Sequence, residues 1–283
     1  MSRRVPRGTS RRIERTAMDA FLYGLLKSLD YMGERRRVII DRVGGVMLQY
    51  LVETGTVASP ARPEELARSL KDLLVKNGYD PRVPLQFERG PPTPPFPGFV
   101  DILKPRVRPS RGSEKVDWVL FEAVLYGMTR ALDDQLGMQA QLILDRIGTF
   151  MLDYLLKTRA IEKSDDPKIL LQNVIDYFVR AGYAKSFRFE LEGAPPDTFV
   201  SKYESARYYT TVFRRTQKEG SALLACPLCL IGHSVWATQG WRFGDTFEVR
   251  ISSNGKVLSK VKIYPSTQRF TEKDALRLSR MKV

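Results

Sequence analysis

Three residues that can bind a metal ion or react as thiols lie close together in the C-terminal half of the chain. Cys226, Cys229 and His233 stand at positions i, i+3 and i+7, so a continuous helix would present all three on one face. This spacing suits zinc, but a structural zinc ion needs four protein ligands and the chain has no other cysteine or histidine. No cofactor is therefore predicted, and zinc is kept as an alternative.

The same cysteines allow two further interpretations. A Cys-x-x-Cys sequence at the start of a helix can form a redox pair, but no thioredoxin-like βαβ pattern precedes Cys226. Two small thiols that pack the start of a buried helix are the favoured interpretation. Trp236 occupies the position where a nucleophile elbow after Gly232 would need its second glycine, and no P-loop or G-x-G-x-x-G sequence occurs. The sequence predicts no catalytic residue, and an enzyme is the less favoured class.

The charge of the chain points to acidic or phosphate-rich partners. Lysine and arginine number 46 against 32 aspartate and glutamate residues, which makes the net charge +14. The arginine-rich composition, with 28% charged residues, also suits a thermophilic or archaeal source. A nucleic-acid-binding protein is therefore an alternative, and its predicted phosphate contacts are Arg3, Arg4, Arg7, Arg11, Arg12, Arg207, Arg214, Arg215 and Arg242.

The helical elements that would position these residues occur twice. The segment FLYGLLKSLD at 21–30 aligns with VLYGMTRALD at 124–133, and IIDRVGGVMLQYLVETG at 39–55 aligns with ILDRIGTFMLDYLLKTR at 143–159. Each copy is predicted to form three helices and a short strand, with the second helix central and buried. Gly44 and Gly148 recur inside that helix, which indicates close helix contacts.

A mixed segment follows the second copy. Residues 208–213 are rich in β-prone side chains and predict a strand, and residues 228–239 predict a helix. Asn254-Gly255 between two alternating segments predicts a β-hairpin. The predicted fold is α+β, with a duplicated helical unit packed on an antiparallel sheet and a C-terminal β-hairpin.

Composition and the positions of proline and glycine residues divide the chain into five segments. The proposed boundaries give a basic flexible arm at 1–18, a partial helical repeat at 19–92, a proline-rich linker at 93–119, a complete α/β domain at 120–265 and a basic C-terminal tail at 266–283. The chain has no run of eighteen apolar residues and no apolar segment after its basic start. A cytoplasmic protein without a transmembrane segment is expected.

Three of these features together resemble a known family. Asp-Arg-Ile-Gly at 145–148, Ala-Cys-Pro-Leu-Cys at 225–229 and the hairpin at 246–264 are similar to the 4-vinyl reductase domain family. Relatives of that family include the small subunits of TRAPP vesicle-tethering complexes and the haem nitric-oxide-binding domains. The resemblance covers residues 120–265, whereas the first copy resembles only the helical half. The family commonly has a further cysteine near the C-terminal strand, which this chain lacks, so the resemblance does not carry metal binding over.

The resemblance implies helices packed on an antiparallel sheet with an apolar cavity between them. Such domains are generally ligand sensors or assembly subunits, and the partial copy would take the place of a second subunit in an intrachain pseudo-dimer. The predicted function is a non-enzymatic ligand-sensing or scaffold module that binds a small apolar ligand or a protein partner and can form further homo-oligomers. The predicted ligand-binding residues are Tyr126, Arg146, Cys226, Cys229, His233 and Trp236. A nucleic-acid-binding protein and a cysteine-dependent redox or metal protein remain as alternatives.

Overall fold

The computed structural model describes residues 12–57, 63–79, 114–193, 196–205, 207–221, 226–238, 240–252 and 256–265. The first copy contains β1 (Arg12–Glu14), α1 (Arg15–Leu29), α2 (Arg35–Glu53) and α3 (Pro63–Lys76). The second copy contains β2 (Lys115–Asp117), α4 (Trp118–Leu136), α5 (Ala140–Lys157) and α6 (Pro167–Arg180). The following elements are β3 (Ala184–Gly193), β4 (Pro196–Ser205), α7 (Arg207–Lys218), α8 (Pro227–Ala237), β5 (Trp241–Ile251) and β6 (Lys256–Pro265).

The two copies pack on each other in a reciprocal arrangement. Helix α1 packs against α5, and α2 packs against α4, so each first helix contacts the second helix of the other copy. A Cβ atom on Gly24 would lie 2.6 Å from the carbonyl oxygen of Ile147, and one on Gly127 would lie 2.7 Å from that of Val43. Gly24 and Gly127 are equivalent positions of the repeat, as are Val43 and Ile147. Glycine therefore allows close helix approach at both equivalent crossings.

Aromatic pairs and strand pairing follow the same symmetry. The rings of Tyr23 and Tyr154 have centroids 5.2 Å apart, and the equivalent rings of Tyr126 and Tyr50 have centroids 5.1 Å apart. Strands β1 and β2, which directly precede α1 and α4, pair antiparallel with each other. The duplication in the sequence is therefore expressed in the contacts between the copies as well as in their helices.

In each copy the first helix, α1 or α4, is more buried than the second, and this corrects the prediction that the second helix of each copy is central. Val38 on α2 is 53% exposed and the equivalent Leu142 on α5 is 69% exposed. Helices α1 and α4 also contact each other, with the rings of Phe21 and Phe121 5.8 Å apart. Because each of them packs against a helix of the other copy as well, less of their surface is left for solvent.

A four-stranded antiparallel sheet with the order β3-β4-β6-β5 follows the helices. Strands β5 and β6 pair antiparallel as the predicted C-terminal hairpin requires, and the turn predicted at Asn254-Gly255 lies outside the described residues. Val257, Val261 and Ile263 on β6 are at most 3% exposed, so the predicted alternation places them in the core. The predicted α+β fold is confirmed.

Residues 208–213 lie in a helix, and the prediction of a strand there is wrong. Helix α7 runs over Arg207–Lys218. Val212, Phe213 and Thr216 are buried at the spacing i, i+1 and i+4, whereas Arg214 is exposed. Val212, Phe213 and Thr216 thus lie on the buried face of an amphipathic helix, because tertiary packing overrides local strand propensity.

Two predicted boundaries need correction. The segment predicted as the arm at 1–18 includes β1 and the start of α1, and the segment predicted as the linker at 93–119 includes β2 and the start of α4. Ile13 and Val116 are paired residues of β1 and β2, and both are fully buried. One buried apolar residue in each short strand therefore attaches these segments to the fold. Residues 1–11, 80–113 and 266–283 lie outside the described residues.

Candidate ligand-binding cavity

One cavity lies between α6, the β3–β4 side of the sheet and α8. Helix α6 begins at Pro167, where Asp166 caps it by accepting a hydrogen bond from the backbone N–H of Lys168 at 2.8 Å. Leu171 and Ile175 of α6 are buried. Strand β3 alternates, so Phe187 and Phe189 face the helices while Arg188 is exposed. Helix α8 brings Trp236 to the same place.

The cavity is mainly apolar and has a volume of about 440 Å³. This volume lies within the range of about 300–1,000 Å³ that is usual for small-molecule sites. Apolar side chains form most of its wall: Leu171, Ile175, Phe187, Phe189, Leu191, Phe199 and Trp236. Polar side chains complete its lining: Lys168, Gln172, Arg188 and Glu190. Because these four residues are exposed, the cavity has a polar mouth and an apolar interior.

Aromatic rings build the sheet side of the cavity. The ring centroids of Phe187 and Phe189 are 4.6 Å apart, and those of Phe189 and Phe199 are 4.7 Å apart. The ring of Phe199 meets the His233 ring edge to face at 5.7 Å. A Cβ atom on Gly232 would lie 2.7 Å from Cζ of Phe189, so a glycine in α8 leaves room for this ring. The wall is thus a continuous aromatic cluster that α8 contacts directly.

Helix α8 also connects the cavity to the helical bundle. It packs on α5, where a Cβ atom on Gly148 would collide with the carbonyl group of Leu230. The hydroxyl of Ser234 donates to the carbonyl oxygen of Leu230 at 3.1 Å and lies 3.2 Å from the hydroxyl of Thr149. The predicted close contact at Gly148 is therefore made with a helix that only the second copy possesses, and Gly44 is buried as well.

Trp236 is the predicted ligand-binding residue that lines the cavity. His233 lies behind the wall, where burial lowers its pKa to about 3, so the imidazole is neutral at physiological pH. Cys226 and Cys229 are buried too. The Sγ of Cys226 lies 3.7 Å from the hydroxyl of Tyr183, and that of Cys229 lies 3.7 Å from the hydroxyl of Ser201.

The thiols are arranged for packing. Contact with Cys226 and burial raise the pKa of the Cys229 thiol well above its usual value, which favours the protonated and unreactive form. Across the described part of the chain, no group of three or more His, Cys, Asp or Glu side chains is placed to hold a metal ion. The structure thus does not assemble Cys226, Cys229 and His233 into the metal site that their spacing suggested.

The other two predicted ligand-binding residues lie away from the cavity. The Tyr126 hydroxyl donates to the carboxylate of Glu219 at 2.8 Å, and its ring lies 4.3 Å below the guanidinium of Arg215. Burial and the hydrogen bond to Glu219 raise the pKa of Tyr126 to about 12. The guanidinium of Arg146 lies 3.6 Å above the ring of Tyr31, which lies in the 3-10 turn after α1. Both residues join helices, and neither lines the cavity.

Three of the arginine residues predicted for nucleic-acid binding have described side chains, and each of the three has a partner within the protein. Arg12 pairs with Asp117 at 3.4 Å, and Arg214 donates to the backbone carbonyl of Ser252 at 3.1 Å. Arg215 is half-buried and pairs with two carboxylates, those of Glu53 and Glu219. Positions outside the description are Arg3, Arg4, Arg7 and Arg11, together with the side chains of Arg207 and Arg242.

A second concave surface of about 570 Å³ lies on the outer face of the sheet. Its basic side chains are Arg188, Lys202, Arg250 and Lys256. Lys202 forms an ion pair with Glu190, and Arg250 forms one with Glu248. One ion pair between β3 and β4 and one within β5 thus neutralise half of these cations, and this face provides less support for a ligand site than the apolar cavity does.

Sequence reasoning missed most of the cavity wall. Phe187, Phe189 and Leu191 lie in the strand that follows the helices of the second copy, and none of them was among the predicted ligand-binding residues. The sequence feature that could have indicated the cavity wall is the pair of phenylalanines on one face of this strand. Two aromatic rings on an edge strand leave a large apolar surface to cover. Leu171 and Ile175 could not have been recognised in this way, because a helix face that lines a cavity and a helix face packed in the core have the same apolar spacing.

Comparison with known proteins leaves the family open. No protein-family model and no curated protein sequence matches the chain. Among solved structures, a variant of Tt H-NOX is similar with 9% sequence identity and a TM-score of 0.33, over 81% of this chain and 96% of that one. A TM-score this low supports no conclusion about fold or function. No helix of the described part of the chain has the length and apolar character needed to cross a membrane.

Proposed function

We propose that this protein is a ligand-binding module that holds a small apolar molecule in the cavity between α6, β3, β4 and α8. The observation that carries the proposal is the cavity itself, with about 440 Å³ of space and walls made mainly of aromatic and aliphatic side chains. Burying an apolar molecule against such walls gains about 25 cal/mol per Å² of apolar surface removed from water. The polar side chains of the mouth, which include Lys168, Arg188 and Glu190, would orient the ligand.

A sensing or scaffold role follows from the position of α8 in this proposal. The helix carries Trp236 at the cavity and packs through Leu230 and Ser234 on Gly148 of α5. A ligand that shifts α8 would therefore change a close contact with the bundle formed by the two copies. The resemblance to 4-vinyl reductase domains agrees with this role and forms part of the proposal.

The test is binding of a neutral apolar probe, 2-isopropenylnaphthalene, measured by equilibrium dialysis. Leu171→Trp places a larger side chain in the cavity wall, and we expect it to weaken binding at least tenfold. Leu142→Trp is the matched control, because Leu142 is 69% exposed on α5. Circular dichroism and thermal unfolding of each variant confirm that it is folded.

Native mass spectrometry of the purified protein gives a second measurement. A bound small molecule that is retained by the wild type and lost from Leu171→Trp supports the proposal. Failure of the wild type to bind the probe overturns it, and so does equal binding by the wild type and a folded Leu171→Trp variant. If Leu171→Trp does not fold, Ile175→Phe replaces it with the same two outcomes.

A further inference from the structure

One row of residues on the outer face of the four-stranded sheet is strongly basic. Arg188 on β3 lies opposite Lys202 on β4. Lys202 in turn lies opposite Leu258 on β6, which lies opposite Arg250 on β5. Side chains of directly opposite residues in antiparallel strands point to the same face, and neighbouring strands lie about 4.8 Å apart. Arg188, Lys202 and Arg250, the cation row, therefore follow one line of about 14 Å across the sheet.

The cation row carries more positive charge than the carboxylates beside it neutralise. Lys202 forms an ion pair with Glu190, and Arg250 forms one with Glu248. Both carboxylates lie in the next row of the same face. Arg188 has no ion pair among the described residues, and the residue opposite it has the same charge. Opposite like charges destabilise the pairing of strands, so Arg188 and Lys202 do not stabilise the sheet through their mutual contact.

The cation row is accessible on the concave surface of about 570 Å³. The side chain of Lys202 is 47% exposed and that of Arg250 is 77% exposed, and Arg188 is exposed as well. The residues that line this surface include no aromatic side chain, and none of the exposed large apolar residues of the described chain belongs to it. A partner would thus be held by charge, without stacking of bases and without insertion into a lipid layer.

We infer that this face binds the phosphodiester backbone of double-helical nucleic acid, with the three side chains of the cation row as phosphate contacts. A DNA duplex carries one negative charge per about 1.7 Å of its axis, so several phosphates fall within the length of the row. The net charge of +14 attracts such a polymer from a distance. Because contacts to phosphates carry no sequence information, binding is independent of nucleotide sequence.

This inference goes beyond the proposed function and is tested separately from it. Arg188 lies on an edge strand and lines the apolar cavity as well, so binding of nucleic acid and binding of the apolar probe are measured in different experiments. A wild type that binds a DNA duplex but not 2-isopropenylnaphthalene supports this inference and overturns the proposed function.

Fluorescence anisotropy of a labelled, mixed-sequence DNA duplex provides the test. The row variant combines Arg188→Gln, Lys202→Gln and Arg250→Gln. The matched control combines Arg37→Gln, Lys71→Gln and Lys163→Gln, which removes the same charge from exposed positions on α2, on α3 and in the loop before α6. Circular dichroism and thermal unfolding show whether each variant is folded.

Loss of three phosphate contacts should weaken binding at least about tenfold at about 50 mM salt. The slope of the logarithm of the binding constant against the logarithm of the salt concentration should become smaller by about 2–3. The matched control should lose less than about threefold in affinity and keep the wild-type slope. Equal losses in the two triple variants, or a wild type that does not bind the duplex, would overturn the inference.

An acidic protein is the competing partner for a basic sheet face. If poly-L-glutamate displaces the labelled duplex as effectively as an unlabelled duplex of equal charge, the face fits an acidic polypeptide and the inference is wrong. Weak displacement by poly-L-glutamate supports recognition of the phosphodiester backbone.

Arg188→Gln alone keeps the inference testable if the row variant does not fold. The substitution removes one of two opposite like charges and breaks no ion pair of the described residues, so we expect the fold to be retained. The salt slope should fall by about 1, whereas Lys71→Gln should leave it unchanged. An unchanged slope in folded Arg188→Gln would contradict the assignment of the cation row.

Discussion

The ring of Phe189 on β3 occupies the space beside Gly232 on α8, where a Cβ atom would lie 2.7 Å from its Cζ. Glycine inside a helix costs about 1 kcal/mol relative to alanine. In α8, glycine at residue 232 allows the helix backbone to contact the aromatic wall of the cavity directly. The position of Phe189 therefore depends on the absence of a side chain at residue 232.

Gly232→Ala should push the Phe189 ring from its place and lower the free energy of unfolding by about 1–3 kcal/mol, because overpacking a closed interior is destabilising. Phe189→Leu in the same chain should recover part of this loss, since the smaller side chain makes room for the new methyl group. Denaturant unfolding of the two single variants and the double variant forms a cycle. Additive effects would contradict direct contact between the two residues.

Gly24 and Gly127 provide a test of the reciprocal packing. Alanine at either position would bring a Cβ atom within 2.7 Å of a backbone carbonyl oxygen of the other copy. Each substitution should lower the free energy of unfolding by about 1–3 kcal/mol, although alanine is the better helix former. Lys71→Ala on the exposed face of α3 should change it by less than about 0.5 kcal/mol. If Gly24→Ala and Gly127→Ala are both as stable as the wild type, the close helix crossings are contradicted.

Substitution of Arg15 tests whether residues 12–18 belong to the fold, as β1 and the start of α1, or to the predicted flexible arm. Its side chain is 4% exposed, pairs with Glu114 at 3.1 Å and lies 3.5 Å from the buried carboxylate of Asp19. Arg15→Met leaves that carboxylate buried without its cation and should cost about 3–5 kcal/mol in urea unfolding. Arg12→Met removes a partly exposed pair with Asp117 and should cost at most about 1 kcal/mol. Equally small losses would show that residue 15 belongs to a mobile arm.

His233 makes the stability depend on pH. It is the only histidine in the chain, and burial lowers its pKa to about 3 from an unfolded value near 6.5. Below pH 6.5 the unfolded chain binds a proton that the folded chain does not, so stability present above pH 6.5 is lost as the pH falls toward 3. Between pH 6.5 and 4.5 the free energy of unfolding should fall by about 2–3 kcal/mol from this group.

His233→Leu removes this contribution and should flatten the profile of unfolding free energy between pH 6.5 and 4.5. Asp145 and Glu14, whose pKa values are raised by burial, titrate in both proteins and cancel when the two profiles are subtracted. The measurement is urea unfolding at half-unit pH steps. Parallel profiles for the two proteins would show that the imidazole is protonated as readily in the folded chain as in the unfolded one.

The ends of the helices and the hairpin could be predicted because their signals are local. Asn77-Gly78 and Gly182 are local helix-end signals, and Gly78 and Gly182 adopt φ values of +75° and +86° after α3 and α6. The alternation on both sides of Asn254-Gly255 predicted the β5–β6 pair. Such patterns depend on residues a few positions apart, so the chain carries them without reference to the rest of the fold.

The cavity depended on distant parts of the chain. Trp236 was selected from the sequence as a ligand-binding residue, but the residues that face it come from α6, β3 and β4. Tyr126 and Arg146 were selected with it and lie elsewhere. Which apolar faces meet is decided by the order of strands and by helix crossings, and neither is visible in local periodicity.

The sequence by itself determined the duplication, the α+β class, and most of the helices and strands, because repeated residues and local periodicity encode them. The tertiary structure alone decided that the copies pack reciprocally through Gly24 and Gly127, that residues 208–213 are helical, and that an aromatic wall closes on Trp236. Those outcomes depend on contacts between residues far apart in the chain. For such residues, complementary shape and burial outweigh local preference.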